Sequence, residues 1–184
     1  NIDRDNEVIF ELSEINDSIS FDKIDSRPVP SLLRGFSAPV KLVYEYSKEE
    51  LSHLATHDSD GFSRWDAGNR LYNMVLLDYV DSLSKGHEPL KDDYVISVFS
   101  SILDDQTIEP AVAALMLQIP SDKALYGLLS KIDPHYVSKA RKFARVMLNE
   151  ALNENIYSKY NQLCFDKAFL PSAEQIGERS LKNT

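Results

Sequence analysis

The chain has 184 residues with 43% hydrophobic and 10% aromatic content, which is enough for a packed core in one ordinary domain or two small ones. Its formal charge of −9 argues against nonspecific nucleic-acid binding, which depends on neutralisation of phosphates by lysine and arginine. No apolar run approaches the roughly 18 to 20 residues of a membrane span. Residues 1–7 lack the apolar core of a signal peptide. The single cysteine, Cys164, excludes an internal disulfide framework. We therefore expect a cytoplasmic, soluble chain.

The first 46 residues predict β-strands joined by a stiff connector. Two alternating apolar runs flank a polar turn at residues 16–18, which is typical of a β-hairpin with one buried face. The runs are Val8-Phe10-Leu12 and Ile19-Phe21, and a third strand is predicted at Val40-Leu42-Tyr44-Tyr46. The segment between them is stiffened by Pro28, Pro30 and Pro39. Three strands with one apolar face are marginal in water, so we expect their sheet partners to lie elsewhere.

From Ser47 onward, cap signals and apolar residues at helical spacing predict a succession of helices. Ser47-x-x-Glu50 is a capping box for the first helix, and Ser63-x-x-Asp66 is predicted to open a second that runs to Gly86. Further helices are predicted at 92–103, 110–116, 124–129, from Asp133-Pro134 past 156 with a break near Asn153, and from Ser172 through Leu181. The predicted fold class is mainly α: an antiparallel helical array of superhelical, α-α type, preceded by a few β-strands from an incomplete β-sandwich.

Charged clusters at the helix ends and faces do not predict an active site. The one basic cluster, which we interpret as a solvated helix face, is Lys139, Arg141, Lys142 and Arg145. The acidic pairs lie at helix ends, where carboxylates cap helices; they are Asp92-Asp93, Asp104-Asp105 and Asp58/Asp60. The spacing from Asp58 to Gly61 faintly suggests a calcium loop but lacks the rest of that pattern. We predict instead a helix cap here, with Trp65 as a core anchor and Arg64 as an ion-pair partner for a nearby acid.

Three segments carry a family resemblance. They are residues 27–40 (RPVPSLLRGFSAPV), 57–68 (HDSDGFSRWDAG) and 178–183 (ERSLKN). In order and spacing they resemble the bacterial aminopeptidase N family, a branch of the M1 zinc metalloaminopeptidases, with Arg27 where lysine is the more usual residue. The resemblance covers nearly all of this chain and a minor part of the family's length. It implies that residues 1–45 are terminal strands of a β-sandwich domain plus the connector, and that 46–184 begin a C-terminal helical domain.

The resemblance implies zinc in the parent enzyme, and the zinc motif is missing from this sequence. The family uses H-E-x-x-H with a downstream glutamate, because two histidines one helical turn apart share the metal while the intervening glutamate acts as general base. The nearest approach is His53 to His57, with Leu54 where the base should be, and His87 and His135 stand apart. The family's G-A-M-E-N segment, which recognises the substrate's amino terminus, is also absent. We therefore predict no catalytic, cofactor-binding or metal-binding residue in this chain.

Two functional hypotheses follow. The first is a non-catalytic segment of a zinc-dependent aminopeptidase that removes N-terminal amino acids from peptides, in which the segment helps to enclose the active site and is inactive alone. Its partners would be the remaining domains of the parent enzyme and the peptide substrate, and apolar surfaces facing those domains predict self-association of the isolated chain. The alternative is a stand-alone helical scaffold for protein–protein interaction.

Overall fold

The computed structural model describes residues 7–22, 24–163 and 170–184. In this part of the chain there are seven α-helices, preceded by a 3-10 turn at Arg34–Phe36. The helices are α1 (Lys48–His57), α2 (Gly61–Ser84), α3 (Asp93–Asp104), α4 (Pro110–Met116), α5 (Asp122–Tyr126), α6 (Pro134–Gln162) and α7 (Ala173–Asn183). The mainly helical fold class is confirmed, and none of the described helices is long and apolar enough to cross a membrane.

The predicted strands do not form among the described residues that precede Ser47. Most apolar side chains of the predicted hairpin and third strand are exposed, including Phe10, Leu12 and Val40, whereas Tyr46 is buried. The physical reason is that a strand needs neighbouring strands to pair its backbone hydrogen-bonding groups and to bury one of its faces. Contacts divide the chain into two compact units, Asn1–Pro30 and Ser31–Thr184.

Most helix boundaries follow from capping side chains. Ser47 and Glu50 form the predicted capping box of α1, and Asp133 and Ser172 accept hydrogen bonds from the first turns of α6 and α7. Two predicted boundaries were wrong. Helix α2 begins at Gly61 because Asp60, not Ser63, is its N-cap, and α5 covers Asp122–Tyr126 rather than 124–129 because Ser121 caps it.

Helix α6 is interrupted where the sequence predicts a break. Leu152 has φ −122° and ψ 18°, so the helix kinks one residue before Asn153. Before the kink, α6 buries one face against α2 and α3, including Val137, Ala144 and Met147. After it, none of the residues 153–162 is buried. The two halves of this helix therefore have different environments.

Helix α2 lies at the centre of the core. It packs against α1, α6, α4 and α3, while α7 packs mainly on α4 and α5 packs on α6. Of the predicted core stripe of α2, Tyr72, Val75 and Tyr79 are buried, whereas Trp65 and Leu83 are half-buried. Trp65 stacks on exposed Phe62, with ring centroids 5.5 Å apart, so it covers the edge of the core rather than anchoring its centre.

Tyr72 carries a buried hydroxyl that has no hydrogen-bond partner in the described part of the chain. The residue is 4% exposed, and burial raises the pKa of its hydroxyl. A buried polar group without a partner costs about 1–3 kcal/mol. We therefore expect Tyr72→Phe to raise the free energy of unfolding by about 1 kcal/mol, measured by urea denaturation.

Tyr79→Phe is the matched control for that prediction. The Tyr79 hydroxyl donates to Met147 Sδ at 3.3 Å, so its removal should give no gain in stability or a small loss. A loss of stability in Tyr72→Phe comparable to that in Tyr79→Phe would show that the Tyr72 hydroxyl has a partner.

Candidate functional site

Asp58 lies at the centre of a polar junction between the connector and the first two helices. It is the C-cap of α1, and its side chain is 1% exposed. Its carboxylate accepts hydrogen bonds from Ser31 Oγ at 2.5 Å, Arg34 Nη1 at 2.5 Å and the Asp60 backbone N–H at 2.8 Å. A buried carboxylate is tolerated when it is paired and hydrogen-bonded in this way. We call this set of residues, Ser31, Arg34, Asp58 and Asp60, the Asp58 junction.

The connector reaches this junction through an unusual backbone path. Leu33 and Gly35 both have positive φ, at 59° and 62°, on either side of Arg34. A leucine in the left-handed region costs free energy, and such conformations persist only where surrounding contacts hold them. Arg34 supplies those contacts, because it also donates from Nη2 to Ser59 Oγ at 2.7 Å.

The junction brings together two of the three segments that carried the family resemblance. Ser31 and Arg34 belong to the segment 27–40, and Asp58 and Asp60 belong to 57–68. Asp60, the N-cap of α2, accepts at Oδ1 from both the backbone N–H and the hydroxyl of Ser63. Asp58 and Asp60 therefore cap helix ends, as predicted, and both carboxylate oxygens of Asp58 and Oδ1 of Asp60 accept hydrogen bonds from donors of the chain itself.

Arg64 forms the predicted ion pair at a second polar contact. Its Nε donates to the carbonyl of Ala55, and its Nη1 lies 3.4 Å from Asp105 Oδ2. Hydrogen bonds from the Thr107 hydroxyl and backbone, with a smaller contribution from Arg64, lower the pKa of Asp105. This contact links the end of α1 and the start of α2 to the end of α3.

Asp92 and Asp104, from the other two acidic pairs, also form bonds with groups of the chain. Asp92 accepts from the Val95 backbone N–H as the N-cap of α3 and pairs with Lys48 at 3.2 Å. Lys48 also pairs with Asp78, and although burial opposes its charge, the bonds to the two aspartates raise the pKa of Lys48. Asp104 accepts from Asn155 Nδ2 at 3.0 Å.

The basic cluster on α6 separates into one paired and three exposed residues. Arg141 donates to the Pro120 carbonyl at 2.7 Å and to Asp122 at 2.5 Å, which ties α5 and its preceding turn to α6. Lys139, Lys142 and Arg145 are exposed. This arrangement agrees with a solvated helix face.

The described residues do not fit a catalytic zinc ion. Among them, no three His, Cys, Asp or Glu side chains come close enough together to hold a metal. His53 and His57 share the exposed face of α1, while Leu54, in the position of the missing base, is buried. His87 and His135 are exposed elsewhere, and Cys164 lies outside the described residues.

One open, polar cleft of about 300 Å³ lies between the end of α3 and the second half of α6. Its lining includes Asp104, Glu154, Asn155 and Lys159. The Asp104 carboxylate in this cleft already accepts hydrogen bonds from Asn155 and Ser100.

Sequence reasoning missed Ser31 and Arg34 as partners of Asp58. The available signal was their position, because both are polar residues inside an apolar, proline-rich connector. A polar side chain that is buried in such a segment needs a hydrogen-bond partner. The residues with which they pair are 27 and 24 positions away in sequence, which no local pattern specifies.

Comparison with known proteins identifies two family models along the chain. One, described as a domain of unknown function with ARM repeats (DUF3458_C), matches residues 48–184. The other, described as a domain of unknown function with an Ig-like fold (DUF3458), matches residues 2–45.

Relatives with known names agree with these matches. Aminopeptidase N of Escherichia coli (strain K12) is 31% identical over 95% of this chain and 20% of that protein, and aminopeptidase N of Caulobacter vibrioides is 29% identical over 98% and 20%. The crystal structure of Legionella pneumophila aminopeptidase A in complex with aspartic acid matches 88% of this chain and 19% of that one, with a TM-score of 0.73 and 27% identity. The chain spans about a fifth of the length of the curated relatives it matches. It therefore belongs to the DUF3458_C family of ARM-repeat domains, and the resemblance to bacterial aminopeptidase N that its three motifs predicted is confirmed.

Proposed function

We propose that this chain is a non-catalytic segment of a zinc-dependent aminopeptidase that removes N-terminal amino acids from peptides. Its role is to enclose the active site carried by other domains and to limit access to it. The zinc belongs to those domains, and the chain alone is inactive. The partners of the segment are the remaining domains of the parent enzyme, with the peptide substrate, in the cytoplasm.

The observation that carries this proposal is the Asp58 junction. It joins two of the segments that resemble the bacterial aminopeptidase N family through partly buried hydrogen bonds, and it holds the start of the helical array to the connector. An enclosing wall must keep a fixed position relative to the chain that leads into it, and a paired, buried carboxylate with a constrained backbone provides such rigidity. The family models, with ranges of 2–45 and 48–184, support a domain boundary at about residue 45.

The test compares the chain with the natural protein that contains it. An antibody raised against the 184-residue chain sizes that protein in an extract of the source organism and isolates it for assay with an aminoacyl anilide. We expect a band several times larger than 20.9 kDa, with hydrolysis by the isolated protein and none by the chain with added Zn²⁺. Hydrolysis by the chain alone, or a sole band near 20.9 kDa, would overturn the proposal.

A stand-alone scaffold for protein–protein interaction is the second candidate, favoured by the ARM-repeat description of the matching family model. Stacked helical repeats form extended binding surfaces. The sole band near 20.9 kDa would favour this candidate, and light scattering of the chain at several concentrations would then show whether its exposed apolar residues drive self-association.

A further inference from the structure

The exposed face of α1 holds two histidines in close contact. His53 and His57 are four residues apart, so they lie one above the other on the helix. Their ring centroids are 4.9 Å apart with an interplanar angle of 50°. Both side chains are exposed, and neither makes a hydrogen bond or ion pair with a residue that the structure describes.

The helix that presents this pair is fixed at both ends and along its buried face. The Ser47–Glu50 capping box begins it, the Asp58 junction ends it, and Leu51, Leu54 and Ala55 are buried. The fold therefore holds the two backbone positions one helical turn apart, so less conformational freedom is lost on binding a common ligand than for histidines on a flexible segment.

We propose that His53 and His57 form a two-ligand surface site for a divalent late transition-metal cation, with Ni²⁺ as the probe. Imidazole nitrogen suits these cations, and histidines at this helical spacing can bind one metal between them. The carboxylate next to the pair, Asp58, is occupied by Ser31 and Arg34, and no third side chain joins the two histidines among the described residues. Water fills the remaining coordination positions, so the site is open and exchangeable and differs from a catalytic metal centre.

Calorimetric titration of the untagged chain with NiCl₂, in a non-chelating buffer at slightly alkaline pH, tests the site. We expect one saturable Ni²⁺ per chain. Even groups that only orient a metal ligand are worth about 10- to 100-fold in affinity, so His53→Ala and His57→Ala should each weaken binding by more than about tenfold. His87→Ala and His135→Ala replace exposed histidines outside the pair and should bind as the unchanged chain does.

Thermal unfolding gives a second readout. Because a cation that binds only the folded chain stabilises it, Ni²⁺ should raise the unfolding midpoint of the unchanged chain and of the two control variants, but not that of the His53→Ala/His57→Ala double variant. All substituted positions are exposed, and circular dichroism checks that each variant keeps its helices. The proposal is overturned if the unchanged chain shows no saturable binding, or if the double variant binds Ni²⁺ with the same affinity.

Discussion

Replacement of Asp58 by alanine is expected to lower the free energy of unfolding by about 2–3 kcal/mol, measured by urea denaturation. The substitution leaves Arg34, whose side chain is 23% exposed, without its carboxylate partner, and it removes the acceptor of the Ser31 hydroxyl. Removing one member of a buried ion pair costs more than the pair contributes, because the remaining charge is left without compensation. The substitution also removes the Arg34–Asp58 contact, which helps to hold Leu33 at its positive φ.

Asp81→Ala is the matched control for this substitution. Asp81 pairs with Lys85 at 2.6 Å, but the two side chains are 61% and 60% exposed, so its loss should change the free energy of unfolding by less than about 0.5 kcal/mol. A thermodynamic cycle with Arg34→Met sharpens the test. In the double variant the uncompensated charge is gone, and we expect a smaller loss than the sum of the two single losses. Strict additivity would show that Arg34 and Asp58 do not act as a pair.

Gly177→Ala is expected to destabilise the chain by about 1–2 kcal/mol, although alanine is the better helix former by about 1 kcal/mol. Gly177 lies where α7 crosses α4, and a Cβ atom at this position would lie 2.9 Å from the backbone nitrogen of Ala111. The atom that would be contacted belongs to a helix backbone rather than to a flexible side chain, so the two helices must move apart. Urea denaturation measures the loss.

Gly61→Ala is the control, because it makes the same chemical change without the steric contact. A Cβ atom at Gly61, the first residue of α2, would meet no atom within 4 Å. Its free energy of unfolding should stay the same or rise by less than about 1 kcal/mol. Equal stability changes in the two variants would mean that α4 and α7 adjust freely at their crossing.

Local side-chain chemistry explains which elements the sequence could predict. Ser47, Asp133 and Ser172 each accept a hydrogen bond within two or three residues, so their helices start where the sequence places them. The start of α2 was misjudged because two cap residues compete within four positions. Asp60 accepts the bonds, and the Ser63 hydroxyl acts as a donor to it.

Contacts between distant residues account for what the sequence could not predict. Ser31, Arg34 and Asp58 come into contact only when the connector folds against the α1–α2 turn. The absence of a side chain at Gly177 matters only because Ala111 of another helix lies beside it. In sequence, a glycine inside a helical pattern indicates only weak helix formation. The alternating runs in the first 46 residues need neighbouring strands with which to pair. The described residues do not provide them, so the alternating pattern alone did not produce a strand.

The kink at Leu152 divides α6 into segments that should open independently. None of the residues 153–162 is buried, and a helical stretch of this length is marginal in water when it does not bury an apolar face. Its amide hydrogens should therefore exchange with solvent through local fraying. Those of the first half, which is packed on α2 and α3, should exchange only when the core itself opens. We therefore expect the two segments of α6 to behave as two cooperative units, so that a protease that cleaves the second would leave the first folded.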